Sequence, residues 1–394
     1  MAHRPMPPFV TPDPGSPTGA RHIREQVMAN MELTHKAGSW LVSLADSRSV
    51  NDVTIHLYSE SHRKAWDEYV YRHPSGTLFH LTAWKRVIER TFRFESRYLF
   101  VEERGTIRGV LPLFLAPNLL FGRSLISTPF AVYGGACADD EQWAKRLRTA
   151  ACQLAERERV QYLELRERSP LVDTGFQTKR LYVTFDSELP YNVDQLIARF
   201  PRDTRYMIRK AQRNGLRAVA GNHQLDTFYQ MYSRSLHRLG TPAFPKRLFQ
   251  DILNEFGGQS ELTTVWRGEK PLAAVLSFRF RAWILPYFGG SVIEGRKLAA
   301  NNFMYYEVMK RAIASGVHNF DFGRSKLGSG SYAFKTQWNM QERPLPYQFF
   351  LVRRKHMPNF SPANPRFKFA IRLWKALPFG LTKILGPKMV RAFP

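Results

Sequence analysis

Residues 317–338 read VHNFDFGRSKLGSGSYAFKTQW, and the reading of the whole chain turns on this stretch. Val317–Phe322 has the alternation of a short strand. Small and charged residues crowd its end: Asp321, Gly323, Arg324, Ser325 and Lys326, then Gly328-Ser329-Gly330, Tyr332, Lys335 and Trp338. Arg324 and Lys335 are candidate stabilisers of an oxyanion or a phosphate, because negative charge develops on the carbonyl oxygen during acyl transfer. Asp321 either orients Arg324 or accepts a proton; the other reading is a carboxylate that ties the strand end to backbone N–H groups with Arg324 as its ion-pair partner. Two well-known motifs are only grazed. Gly323-x4-Gly328 continues as Ser329-Gly330, where a phosphate-binding P-loop needs Lys-Ser/Thr. Asp321-Phe322-Gly323 stands without the His-Arg-Asp and Gly-rich loops that accompany the kinase metal motif.

Working outward, the segments before this stretch repeat an order already used once. Val53, Ile55 and Leu57 alternate as a strand, and helices follow with Trp66, Tyr69 and Val70, then Trp84, Val87 and Ile88, on one side. Strands are expected at Arg97–Glu102 and Ile107–Phe114 around Gly105, then Tyr133-Gly134-Gly135, a helix through Trp143–Leu154, and a strand at Val160–Arg166. The second half runs Glu261–Trp266, Ala273–Phe280, Tyr287-Phe288-Gly289-Gly290, a helix from about Asn301 to Ser315, and Val317–Phe322. The Gly-Gly pairs lie 155 residues apart and the closing strands 157 apart, which points to duplication. The class is α/β (α+β): two tandem domains with mixed central sheets, 51–190 and 191–350, behind an N-terminal extension (1–50) and ahead of a basic tail (351–394). The glycine pairs permit either close approach of a ligand, with Tyr133 and Tyr287 beside it, or a bulge. His80 and Trp84, four apart on an expected helix, line a substrate pocket or pack in the core.

Between the halves, Leu196–Gln212 reads as one helix ending near Asn214-Gly215, and Leu225–Leu239 as another. The first places Arg202, Arg205, Arg209 and Arg213 on one face. Clustered like charges repel unless anions sit against them, and the guanidinium fork pairs bidentately with phosphate. A phosphate-rich ligand or RNA is one reading; a solvated helix face is the other. The net charge of +25 is concentrated here and at the C-terminus, where residues 353–394 hold ten Lys/Arg and no acid. Residues 366–391 interleave those cations with Phe, Leu, Ile and Trp, the composition of a segment lying in a membrane interface or of a helix packed on the protein.

Other classes are disfavoured. Cys137 and Cys152 are the two cysteines, too few for a disulfide scaffold, and neither has the sequence neighbours of a zinc site, so no metal is expected. The first 50 residues contain no apolar signal region, and Val110–Gly122 is broken by Pro112 and Pro117. A cytoplasmic protein is expected, peripheral on the inner membrane if the tail docks there. No Gly-x-Ser-x-Gly elbow or Cys–His pairing by motif is visible, which favours direct attack by an amine over a covalent intermediate.

With these residues in view the chain resembles the FemAB-like group of the GNAT superfamily, whose members often carry a BioF2-like acetyltransferase domain. The likeness spans about residues 55–350 and is densest in RDTRYMIRKAQRNGL (202–216) and in LAAVLSFRF, YFGGS, NFDFGRS and YAFKTQW, which stand in the family's order. More narrowly it resembles FemAB proteins of XrtA/PEP-CTERM exosortase and exopolysaccharide systems. The resemblance implies two GNAT-like domains and transfer of an acyl or aminoacyl group onto an amine of a cell-envelope or exopolysaccharide-related substrate. It implies Lys335 at the reaction centre and Arg205 and Arg209 near a phosphate-bearing substrate; Asp321 and Arg324, read from the strand end itself, are the other candidate catalytic residues. Tyr133, Tyr287, Tyr332, His80 and Trp84 complete the candidate binding residues. No bound cofactor is expected; acyl-CoA, acyl carrier protein and aminoacyl-tRNA are the candidate donors, with tRNA and an anionic membrane surface as candidate partners. Two family features are missing: the pyrophosphate loop of coenzyme A–using members, replaced by Arg296-Lys-Leu-Ala-Ala-Asn, and the coiled-coil arm of some tRNA-dependent ones. The alternative from another class is a non-catalytic protein that binds RNA or a glycan precursor at the membrane.

Overall fold

The computed structural model describes residues 53–118, 122–171, 175–358 and 365–392; the expected N-terminal extension lies outside the described residues. In chain order the first half runs β1 (Val53–Leu57), α1 (Arg63–Arg72), α2 (Thr82–Phe92), β2 (Glu95–Ser96), β3 (Leu99–Glu103), β4 (Thr106–Leu111), β5 (Phe114–Asn118), β6 (Gly122–Ile126), β7 (Cys137–Ala138), α3 (Glu141–Arg157), β8 (Tyr162–Leu165) and β9 (Gln177–Glu188). There follow α4 (Val193–Leu196), α5 (Arg202–Arg213), β10 (Leu216–Ala220), α6 (Leu225–Leu239) and α7 (Lys246–Phe256). The second half closes with β11 (Ser260–Arg267), β12 (Lys270–Phe280), β13 (Trp283–Ser291), α8 (Ile293–Lys297), α9 (Ala300–Ala314), β14 (Asn319–Asp321), β15 (Ser325–Lys326), α10 (Gly330–Lys335) and β16 (Gln341–Leu351). Two tail helices complete it, α11 (Pro365–Ala376) and α12 (Phe379–Arg391).

The run LAAVL inside β12 is apolar at successive positions because both faces of that strand are covered. Period two splits it between two cores. Ala274, Leu276 and Phe278 join Phe228 and Tyr232 of α6 on one side. Ala273 and Val275 join Phe303, Met304 and Met309 of α9 on the other. Gly290 lets α6 approach β13: a Cβ there would stand 2.7 Å from the Met231 carbonyl oxygen and from Tyr232 Cα. In the first half, Leu147, Ala151 and Leu154 of α3 pack on Leu99, Val101 and Leu111.

The mixed sheets expected from the sequence are present: a four-stranded sheet, β1-β3-β4-β7, and a 12-stranded one, β10-β11-β12-β13-β14-β9-β16-β8-β6-β5-β2, with β15 on β9. The duplication is written into that order. In one half β5 and β6 form an antiparallel pair, and β6 runs parallel to β8. In the other, β12 and β13 form an antiparallel pair, and β13 runs parallel to β14. The strand after each unit is then exchanged: β9 leaves β8 to pair with β14, and β16 leaves β14 to pair with β8. β9 and β16 pair with each other at the centre. The described residues accordingly form one compact unit.

Most expected elements are found where the patterns put them, with two differences between the halves. The single helix expected over Leu196–Gln212 is broken: α4 and a 3-10 turn end at Phe200 (φ −83°, ψ 150°), and α5 starts after Pro201. The pyrrolidine ring disfavours helical conformation in the residue before it, which accounts for the break. His80 and Trp84 do not share a helix either: His80 closes a 3-10 turn, Leu78–His80, and Leu81 is extended before α2 begins.

Candidate active site

β14 ends at Asp321, and its carboxylate is held from three directions. Tyr133 Oη, from the first half, donates to Oδ2 at 2.5 Å. Thr184 Oγ1, from the exchanged strand β9, donates to Oδ1. Gly323 N donates to the same oxygen at 2.7 Å, so the residue that turns the chain (φ +68°) also clamps its own strand end. Beside these a charge so deeply buried is tolerated because its lone pairs are occupied. Burial, and then the Asp321 charge beside it, push the Tyr133 hydroxyl well above its ordinary range. Tyr133 therefore stays a donor.

Lys335 sits at the end of the short helix α10, capped by Ser329, and its side chain is buried. Nζ donates to the carbonyl oxygens of Phe322 and Gly323 at 2.8 Å each and of Arg324 at 3.3 Å. The ammonium thus grips the loop that follows β14. Burial lowers its pKa to about 7, opposed by the nearby Asp321 and reinforced by Arg324. An amine with this pKa is divided between charged and neutral forms at neutral pH.

Arg324 does not pair with Asp321 among the described interactions. After the Gly323 turn its guanidinium stacks on the Tyr182 ring at 4.7 Å and donates from Nη1 to the Tyr347 hydroxyl at 3.3 Å. The ion pair offered as one reading of the sequence is not formed; Tyr133, Thr184 and Gly323 take the carboxylate instead.

A cleft of about 190 Å³ opens onto this cluster, lined by Asp321, Tyr133, Arg168, Arg281, Trp283 and Leu285 among others. Arg168 lies over the Tyr133 ring at 4.6 Å. Arg281 is pinned to the carbonyls of His73, Pro74 and Gly76, so it joins the two halves across the cleft. On the other side of Arg168 lies a second cavity of about 330 Å³, lined by His80, Gly134, Gly135, Arg148 and Glu167. Glu167 accepts from Ala136 N at 3.2 Å, and burial raises its carboxyl to about 7. Burial lowers His80 to about 4, against the opposing hydrogen bond from its ring to the Gly135 carbonyl at 3.0 Å. At neutral pH His80 is an uncharged wall residue.

The remaining candidates divide. Tyr287 Oη donates to the Phe130 carbonyl at 2.8 Å, and its ring lies near Gly323. Tyr332 faces β16 and donates to Glu342 at 3.0 Å. Trp84 is fully buried between Phe79, Phe256 and Phe278, so it belongs to the core and not to a pocket. On α5, Arg209 is exposed, while Arg205 turns back to the Phe200 carbonyl at 2.9 Å. No ion pair involves Arg202, Arg205, Arg209 or Arg213 among the described residues. The helix is nonetheless tied to the site: Thr204 Oγ1 donates to the Gln337 carbonyl, two residues beyond Lys335, at 2.6 Å.

Sequence reading missed Thr184, Arg168, Arg281 and Glu167. The 157-residue offset sets Glu164 opposite Asp321 and Glu167 opposite Arg324, so the repeat held the signal for Glu167. Thr184 had none, because it arrives through strand exchange. The space also holds a Cys–His pair that no motif announced: Cys137 Sγ lies 3.3 Å from His73 Nδ1. Burial raises that thiol to about 11. It is thus protonated at neutral pH and a poor nucleophile. Among the described residues no cluster of His, Cys, Asp and Glu suits a metal ion.

At the stretch corresponding to a coenzyme A pyrophosphate loop, α8 fills the space before α9. The amides of Leu298 and Ala299 are taken by the carbonyls of Glu294 and Arg296. Gly295 packs there against Leu272, whose carbonyl oxygen a Cβ would meet at 2.6 Å.

Part of the chain and its fold are similar to known proteins. The family model for the acetyltransferase (GNAT) domain matches residues 198–336, a span that includes Arg205, Arg209, Asp321, Arg324 and Lys335. A comparison with curated proteins gave no match. Among solved structures, FemX is similar with a TM-score of 0.60 and 18% identity, covering 76% of this chain and 97% of its own. The C-terminal domain (DUF2156) of a protein described as a lysylphosphatidylglycerol synthetase, from Agrobacterium fabrum, is similar with a TM-score of 0.52 and 14% identity, covering 75% and 92%. The fold is of the GNAT acyltransferase type, and the matches support acyltransferase activity.

Proposed function

We propose that the chain moves an acyl or aminoacyl group from a phosphate-bearing carrier onto an amine of a cell-envelope substrate, by direct attack of that amine. The observation that carries the reading is that Tyr133 and Lys335 both bind the end of β14, with Tyr133 and Asp321 in the wall of the cleft, Lys335 buried beside them, and Asp321 and Lys335 inside the span matched by the GNAT domain model. The attacking nitrogen forms the new C–N bond as the carbonyl of the ester or thioester becomes an oxyanion. Collapse then breaks the bond to the leaving oxygen or sulfur, which takes up a proton.

Lys335 is the group to meet the oxyanion, exchanging its longest contact, the 3.3 Å bond to the Arg324 carbonyl, for the developing charge. Asp321, reached through Tyr133, receives the proton released by the attacking amine. The solvent-facing guanidiniums of α5, with Arg209 foremost, suit the phosphates of the donor. The FemAB resemblance and the lysyl-phospholipid name of one structural neighbour favour an envelope acceptor, and exopolysaccharide-linked FemAB proteins narrow it to a precursor of that kind.

The test offers the full chain acyl-CoA, acyl carrier protein and aminoacyl-tRNA with a panel of envelope amines and weighs the products by mass spectrometry. Lys335→Ala should lower product formation on the order of a hundredfold or more with an unchanged circular dichroism spectrum. Product formed by the folded variant at the parent rate refutes the assignment. No product with any donor favours the non-catalytic binding protein.

A further inference from the structure

We propose that the outward face of the C-terminal helices α11 and α12 is a docking surface for an anionic lipid bilayer. The two readings of the basic tail, membrane-facing and protein-packed, turn out to occupy opposite sides of the same helices. On α11, Trp374 is buried; on α12, Thr382, Gly386 and Val390 are buried, a spacing of four that keeps one stripe against the second half. The His237 ring lies 3.0 Å from the Leu377 carbonyl, and Gly386 fits under Ala243, whose carbonyl oxygen a Cβ would meet at 3.0 Å. The protein-facing side is therefore already covered.

The opposite side is not. Phe369 is 70% exposed, Ile384 65% and Leu373 55%. At 3.6 residues per turn, Ile384, Leu381 and Lys388 fall across the helix from the buried Thr382–Gly386–Val390 stripe. Phe369 and Leu373, one turn apart, likewise point away from Trp374. Large apolar side chains left in water are normally scattered singly; here they share faces with cations. Residues 365–392 carry seven Lys/Arg and no acid.

That combination selects the occupant. A second protein of ordinary surface would leave the cations unmatched, and a nucleic acid would leave the Phe and Ile side chains in water. An anionic bilayer takes both, the apolar tips entering the acyl boundary and the cations lying at headgroup depth. Beside Ile384, a groove of about 910 Å³ between α6, α7 and α12 is lined by Arg234 and Lys383, and by Lys246, which pairs there with Asp226. Among the described residues no helix is long and apolar enough to cross a membrane, so the contact is interfacial.

The experiment sediments the full chain with vesicles of phosphatidylcholine alone and of phosphatidylcholine mixed equally with phosphatidylglycerol. It compares Lys388→Glu/Arg391→Glu and Phe369→Ser/Ile384→Ser, all exposed positions whose replacement leaves the inward stripe intact. The parent should pellet with the mixed vesicles and stay largely in solution with the neutral ones. Neutralising one cation near an anionic leaflet weakens partition roughly fivefold, so the double charge reversal should release the protein, and added salt should act alike. The apolar pair should also lower binding several-fold. Equal pelleting with both vesicles, or none with either, overturns the proposal. So does loss through the charge pair with no effect of the apolar pair, which would leave only an electrostatic attraction that any polyanion satisfies. Because partition and not turnover is read, the result stands apart from the transferase assignment.

Discussion

Each buried ionisable group around the cleft has a protonation state set by what surrounds it, and Glu167 gives that the sharpest consequence. Its carboxyl titrates at about 7 in the folded chain against 4.5 as an ordinary glutamate. Between those values the folded state holds a proton that the unfolded state has lost, so this residue's contribution to stability falls as pH rises through the window and is fully unfavourable above it. The penalty is on the order of 3 kcal/mol. Glu167→Gln keeps an acceptor for Ala136 N and removes the charge. Urea midpoints should therefore favour the variant at about pH 8 and coincide with the parent at about pH 5. A midpoint difference independent of pH would mean that the carboxyl is not desolvated as described. Tyr133 and Lys335 follow the same physics with opposite outcomes: burial keeps the phenol protonated and brings the ammonium into the neutral range.

Among the elements, the contact between α6 and β13 rests on Gly290, which is in ordinary strand backbone and is needed for space, not for its torsions. Any Cβ would strike the α6 backbone at Met231 and Tyr232, and backbone does not yield as a flexible side chain does. Gly290→Val should destabilise the fold by about 1–3 kcal/mol, while Gly258→Ala, where nothing stands within 4 Å, should be nearly silent. Thermal melts of the two variants decide it. At this scale much was legible. Trp143–Leu154 announced α3, and the glycines at 105, 268 and 316 announced their turns, each with positive φ. The Leu196–Gln212 helix was over-extended because its apolar period runs on through Phe200, and the constraint imposed by Pro201 outweighs periodicity.

For the whole molecule, the exchange of β9 and β16 makes the two halves mutually dependent. Neither strand pairs with the strand that precedes it in its own half, so each half expressed alone exposes sheet edges that the other normally covers. Residues 53–190 and 191–392 should each aggregate or remain unfolded when produced singly, and should form a soluble complex when produced together. A monomeric, cooperatively folded single half would show that the exchange is dispensable. The same exchange builds the site, since it brings Thr184 to Asp321 and lays β16, with Tyr347 beneath Arg324, across the centre.

What the sequence determined by itself was local: strand and helix periods, turn glycines, the 157-residue echo of the closing strand, and the cluster of Asp321, Arg324 and Lys335 within one short stretch. These follow from neighbours along the chain, where a side-chain pattern or a backbone preference acts directly. The tertiary structure alone decided which partners meet. Tyr133 reaches Asp321 across 188 residues, Thr184 across 137, and Cys137 finds His73, because strand exchange and the packing of two similar halves bring distant segments together. It also decided which side of the basic tail faces the protein, for burial of Trp374 and Val390 is a property of the surface they pack on and not of their own spacing.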